Sequence, residues 1–293
     1  MKQVLRWLGF LAALIVVLAA SAVAFVYLCT EALIRKTYEV PLTAIAVPTD
    51  LDSIAEGKRL ATIRGCFDGC HGPGIQGGLF FDVPWVTRLV APNLTQVAAN
   101  HSDSDLERVI RHGVRRNGLS VWGMPSTMFH HLNDEDLGKI IAFLRSVPLS
   151  EGPVTDAWVG PLWRLELVQW QLGLRDEVYL PLAEEIERDA PWISGAIEPA
   201  ERNRGRYLAL TVCSECHGMK LQGDVEGSTP DLAIVAAYSE EDFFRLVRTA
   251  TPLGGRELGL MGMVARERLV HLTDDEIRAL YSYLHAMGKG ASP

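Results

Sequence analysis

Residues 65–72 read GCFDGCHG and residues 213–218 read CSECHG. In each stretch two cysteines are followed at once by a histidine, the pattern of covalent haem attachment. The thiols form thioether bonds to one edge of the porphyrin, and the adjacent imidazole reaches the iron from the same side. Cys213 and Cys216 have the regular spacing of about one helical turn, with His217 directly after them. Cys66 and Cys70 hold one residue more between them, and His71 follows. Cysteines at i and i+4 still share a helix face. Gly65 and Gly69 flank the longer loop and permit the backbone that absorbs the extra residue. A zinc site is the competing reading of the first motif. It needs a fourth ligand, for which His101, His112, His130 and His131 are candidates. The recurrence of the pattern in one chain argues against chance.

A six-coordinate electron-transfer haem needs a second axial ligand, often a methionine thioether, which favours ferrous iron. Met124, in WGMPS, precedes Pro125, which biases it toward extended backbone, with Met128 nearby as a packing residue. In the second half Met263 follows Gly262 as Met124 follows Gly123. Met261 lies two residues earlier, and in an extended segment both would point to one side. Met263 is favoured by its distance to the last helix. Histidines 101, 112, 130, 131, 271 and 285 are the alternatives for bis-histidine ligation.

The elements around the motifs repeat. EGKRLATIRGCFDGCHG and NRGRYLALTVCSECHG both have a helical pattern, with Gly57 and Gly205 about two turns before the first cysteine, where a glycine permits close helix crossing. Gln76-Gly77 and Gln222-Gly223 follow, then Pro92-Asn93-Leu94 and Pro230-Asp231-Leu232. Helices begin at Ser102, with Leu106, Val109 and Ile110 on one face, and at Ser239, with Phe243, Leu246 and Val247. Each copy closes in an amphipathic helix, one capped by Asn133 and one by a Thr273/Glu276 capping box. Strand signals are few, so the fold expected is all-α, each copy wrapped around a group that replaces a conventional core. The expected division is an anchor at 1–36, a first domain at 37–148, a linker at 149–198 and a second domain at 199–289. The linker helix pattern from Trp158 to Leu174 would pack between the domains or rest on a membrane surface, where Trp is enriched.

No charged residue lies between Trp7 and Thr30, a helix long enough to cross the ~30 Å hydrocarbon core. An uncleaved anchor is favoured over a signal peptide, whose apolar core is shorter; Cys29 reads as a thiol within that helix. Lys2 and Arg6 nearly balance Arg35 and Lys36, so charge alone does not orient the span. Covalent haem attachment occurs on the outer face of energy-transducing membranes, so if the motifs are haem sites, residues from about 31 onward are expected in the periplasm or its equivalent. The net charge of −8 argues against nucleic acid as a partner and suits a basic docking face.

With both CH motifs, the PNL and PDL loops and the MP segment assembled, the chain resembles membrane-anchored dihaem c-type cytochromes with two tandem class I cytochrome c domains. It is similar to the cytochrome subunits of bacterial periplasmic alcohol and aldehyde dehydrogenases. The likeness runs from about residue 53 to 288 and takes in VGPLWRLELVQWQLGL and EEIERDAPW of the linker. The resemblance implies that the carbonyls of Pro92 and Pro230 orient His71 and His217. It implies two covalently bound haem c groups, with irons held by His71 and Met124 and by His217 and Met263. The expected role is electron relay, without catalysis or a small-molecule substrate, from a dehydrogenase or quinol-oxidising complex toward a terminal oxidase at the cytoplasmic membrane. The departures from the family pattern are the longer first motif and the missing proline after Met263. A dihaem peroxidase is the rival from another class; it needs one iron with an open position, which methionine candidates in both copies argue against.

Overall fold

The computed structural model describes residues 2–153, 156–174, 183, 186, 200–224 and 229–290. The EEIERDAPW stretch of the linker falls almost wholly outside the described residues. The chain opens with α1 (Lys2–Ile34), whose apolar side chains from Val4 to Leu28 face outward, away from the rest of the protein. Its most apolar window has a mean hydropathy of 2.7. Only at its last turns does α1 meet the protein, where Thr30 and Leu33 are buried.

The first repeat is built from α2 (Leu51–Ile63), α3 (Leu94–Asn100), α4 (Asp103–His112), the short α5 (Ser126–Phe129) and α6 (Asp134–Ser146). Asp50 caps α2 by accepting from the Ser53 amide at 2.8 Å, Ser102 and Asp105 form a capping box on α4, and Asn133 accepts from the Asp136 amide at 2.7 Å. Each cap satisfies an amide that has no partner inside its helix. The second repeat follows with α8 (Ala200–Leu208), α9 (Ser214–His217), α10 (Glu240–Thr249), α11 (Leu260–Glu267) and α12 (Asp274–Gly288), after the linker helix α7 (Pro161–Gln171). Ser239 caps α10, and Thr273 and Glu276 form the expected capping box on α12.

The glycines before each motif mark the closest helix crossings. A Cβ at residue 57 would overlap the Lys139 carbonyl of α6 and come 3.1 Å from Phe143 Cβ. A Cβ at 205 would overlap the Ala279 carbonyl of α12 and come 2.6 Å from Tyr283 Cβ. Each motif-bearing helix is thereby pressed onto the last helix of its own repeat. The interior of the first repeat is Leu60, Ile75, Leu106, Leu137, Ile141 and their neighbours; that of the second is Phe243, Val247, Leu272, Ile277, Leu280 and theirs. Ile63 of the first repeat is buried in the second cluster, and Tyr207 of the second packs on the first.

The fold is mostly helical, as the all-α expectation has it, with few strands. Strands β1 (Gly78–Val83) and β2 (Thr87–Ala91) form an antiparallel hairpin, extended by β3 (Trp158–Val159) through the pairing of Thr87 with Val159. β1 is exposed along almost its whole length, so it lacks the alternation that one buried face imposes on a strand. The linker helix does not pack between the repeats. It lies against the end of α1 and the first repeat: Trp163 and Leu167 cluster with Leu33, Val86, Leu89 and Trp122. Arg164 donates to Thr30 Oγ1 at 2.9 Å and to the Glu31 carboxylate at 3.0 Å.

Candidate haem-binding sites

The longer spacing of the first motif has a local structural answer. Gly65 leaves α2 in the left-handed region (φ 74°), and Cys66–Cys70 then form a single π turn closed by Cys70 N–H donating to Gly65 O at 2.9 Å. A π turn, bonded i→i+5, holds one residue more than an α turn. His71 follows the turn with its side chain almost fully buried. The second motif places the π turn earlier, at Ala209–Cys213, and carries Cys213 into α9, which ends at His217, also buried.

The two histidines are held alike. His71 Nδ1 donates to the Pro92 carbonyl at 2.9 Å, and His217 Nδ1 donates to the Pro230 carbonyl at 2.8 Å. A carbonyl can only accept, so both rings carry the proton on Nδ1 and keep the Nε2 lone pair free for a metal. Burial also lowers the pKa of His71, which favours the neutral ring a metal requires. Gly77 N–H returns to His71 O at 2.8 Å and Gly223 N–H to His217 O at 2.9 Å. These glycines, at φ 78° and 76°, lie so close to the proline loops that a Cβ at 77 would sit 2.7 Å from both Asn93 N and Pro92 C, and one at 223 would sit 2.7 Å from Pro230 C. Asn93 and Asp231, directly after the prolines, cap the next helical segments and fix the carbonyls in place.

The thiols of both motifs are set in apolar surroundings. Burial pushes Cys66 and Cys213 each up to about 12, so both thiols are neutral in the folded chain. Cys70 and Cys216 are also raised, first by burial and then by the Glu215 carboxylate. Among the described residues no group of three His, Cys, Asp or Glu side chains stands ready for a metal ion. Of the four histidines that the zinc reading calls on, His101 Nδ1 donates to Val97 O at 2.9 Å, His130 Nδ1 donates to Arg111 O at 3.0 Å, His112 faces Glu107 at 3.6 Å, and His131 Nε2 is buried without a hydrogen-bond partner.

Met124 and Cys66 pack against the same interior cluster of the first repeat, and Met128 is buried within it, 1% exposed. The second repeat requires a correction. The segment expected to be extended around Met261 and Met263 is the helix α11, in which two residues lie about 200° apart and face opposite ways. Met261 packs on the cluster that Cys213 touches, whereas Met263 is 41% exposed.

Arg268 had no mark in the sequence as part of a site. Its guanidinium crosses from the second repeat to the first motif, where a Cβ at Gly65 would overlap it and one at Gly69 would lie 3.5 Å from Nη2. Nη1 donates to Glu215 at 3.0 Å. Its partners lie more than fifty positions earlier in the chain, so no local pattern could reveal it.

A family model described as cytochrome c matches residues 54–148 and 203–288, together more than half of the chain. The chain belongs to the cytochrome c family. As a cytochrome c it is an electron-transfer protein, and the family implies covalently bound haem c. Its relatives include the fructose dehydrogenase cytochrome subunit of Gluconobacter japonicus, 25% identical over 92% of this chain and 59% of that one. The alcohol dehydrogenase (quinone) cytochrome c subunit of Gluconacetobacter polyoxogenes is 25% identical over 84% of this cytochrome and 58% of its own length. The gluconate 2-dehydrogenase cytochrome c subunit of Pantoea cypripedii is 26% identical over 80% and 59%. The cytochrome thus spans about three-fifths of the length of these relatives. All three are cytochrome subunits, and none lends support to the peroxidase alternative.

Proposed function

We propose that this cytochrome c is the electron-transfer subunit of a membrane-bound dehydrogenase, carrying two haem c groups. Cys66, Cys70 and His71 would hold one, and Cys213, Cys216 and His217 the other. The haem, when bound, supplies one-electron redox chemistry; the chain supplies attachment, ring orientation and burial. The observation that carries the reading is the duplicated hydrogen bond from a buried CH-motif histidine to a proline carbonyl, at 2.9 Å and 2.8 Å. It sets the tautomer and raises the basicity of both imidazoles.

Met124 is the sixth-ligand candidate for the first iron. For the second, inward-facing Met261 replaces Met263, because a ligand must point to the interior where Cys213 lies. The apolar helix α1 serves as the anchor, with the repeats on the periplasmic side, and the chain receives electrons from a dehydrogenase and passes them on toward a terminal oxidase. Purification from native membranes tests this reading. Two covalent haems per chain, retention through an alkaline wash and co-purification of a dehydrogenase catalytic subunit are expected. A haem-free chain, or one that co-purifies with no redox enzyme, would overturn it.

A further inference from the structure

Arg268 stands where the two attachment loops meet. Its backbone N–H is held by Val264 O at 2.8 Å, and its side chain, 19% exposed, leaves the second repeat to lie across Gly65 and Gly69 of the first. Its Nη1 donates to Glu215, the residue just before Cys216. One cation and one carboxylate therefore stand between the two loops in a partly desolvated seam, where charges interact more strongly than in water.

The same contact bears on Gly65 of the longer motif. A side chain at 65 would overlap the guanidinium, and one at 69 would be in van der Waals contact with it; Gly65, which opens the π turn, and Gly69 within it form the shelf on which Arg268 rests.

We propose that Arg268 is a positioning residue shared by both redox centres: it docks the second repeat onto the GCFDG loop, and its charge raises the potentials of both, with Glu215 opposing it. This rests on the reading of both motifs as haem sites. A nearby positive charge disfavours the extra positive charge of ferric iron, so it favours the reduced form. Arginine is suited to the place because its planar guanidinium lies flat on backbone while bonding a carboxylate at its edge.

The test uses the full-length holoprotein. Covalent haem per chain is counted first, which examines the haem reading by itself: fewer than two haems in the unaltered chain refutes that reading and, with it, the shared role. Potentiometric titration then examines the proposal. Arg268→Gln should shift both midpoint potentials downward, Glu215→Gln should shift both upward, and Arg268→Lys, which keeps the charge, should recover most of the Arg268→Gln shift. Two haems with potentials that do not move, or movement at one haem alone, would reduce Arg268 to a local salt bridge and overturn the proposal. If Arg268→Gln does not accumulate as holoprotein, the opposite-signed shift in Glu215→Gln decides: an upward shift at both haems upholds the shared field, and its absence overturns it.

Discussion

Arg59 of α2 and Glu276 of α12 meet across the seam between the repeats as a bidentate pair, Nη1 to Oε2 at 2.7 Å and Nη2 to Oε1 at 3.0 Å. The same guanidinium also donates to the His271 carbonyl and to Glu56. Glu276 is at once the N3 member of the capping box on α12, so one carboxylate closes a helix and joins two repeats.

That double role makes the seam sensitive to acid. Burial by itself would raise the Glu276 pKa, but the Arg59 hydrogen bond, the Thr273 amide and the charges of Arg59 and Arg204 outweigh it and bring the carboxyl below its ordinary 4.5. A group depressed in the folded state contributes stability that is present above its unfolded pKa and lost as pH falls through the folded value. Stability should therefore decline below about pH 4.5, and Glu276→Gln should flatten that acid limb while costing about 2 kcal/mol at neutral pH. Chemical denaturation at a series of pH values checks both.

The attachment motifs are separable. Replacing Cys66 and Cys70 by serine should leave one covalent haem per chain, and replacing Cys213 and Cys216 should leave the other. Haem staining after denaturation and intact mass measure the count. Unchanged attachment in the Cys66/Cys70 variant would show that the π turn at Cys66–Cys70 is not an attachment site.

For the second iron, Met261→Ala should lower its potential or produce a high-spin, five-coordinate spectrum, since loss of the thioether removes its preference for ferrous iron. Met263→Ala, at an exposed position, should leave the spectrum unchanged. The reverse pattern would restore Met263 as the ligand.

Gly77→Ala should destabilise the first repeat by roughly 2 kcal/mol or more, because it combines left-handed backbone strain with overlap against the Pro92 loop. Gly254→Ala, at φ 80° with no heavy atom within 4 Å of the added carbon, should cost only the strain, about 1 kcal/mol. The difference in thermal or denaturant midpoints isolates the loop contact.

A chain beginning at Leu51 should be less stable than one beginning near Thr30. It loses Leu33 from the cluster around Trp163 and Leu167, and Tyr38 from its place against Val114. Calorimetry and size-exclusion of the two chains provide the comparison, with aggregation of the shorter one expected.

Motifs and helix ends were legible in the sequence because they depend on residues close together in the chain. The CH spacings, the caps at Ser102, Asn133, Ser239 and Thr273 and the crossing glycines at 57 and 205 each follow from contacts or packing that recur at helical periods. The hairpin from Gly78 to Ala91 escaped, since an exposed strand carries no burial pattern. Met261 and Met263 could not be told apart until the segment proved helical, because an extended chain and a helix orient residues two apart in opposite senses.

By itself, then, the sequence determined that two copies of a histidine-bearing cysteine motif stand in two similar helical repeats behind an apolar helix, because local spacing and periodicity are written in consecutive residues. Only the tertiary structure decided that these repeats share a seam, with Arg59 on Glu276, Arg64 donating to Thr211 at 3.2 Å, and Arg268 laid on Gly65. Those partners are separated by more than a hundred positions, and what joins them is the packing of one repeat's surface on the other, which no run of neighbouring residues encodes.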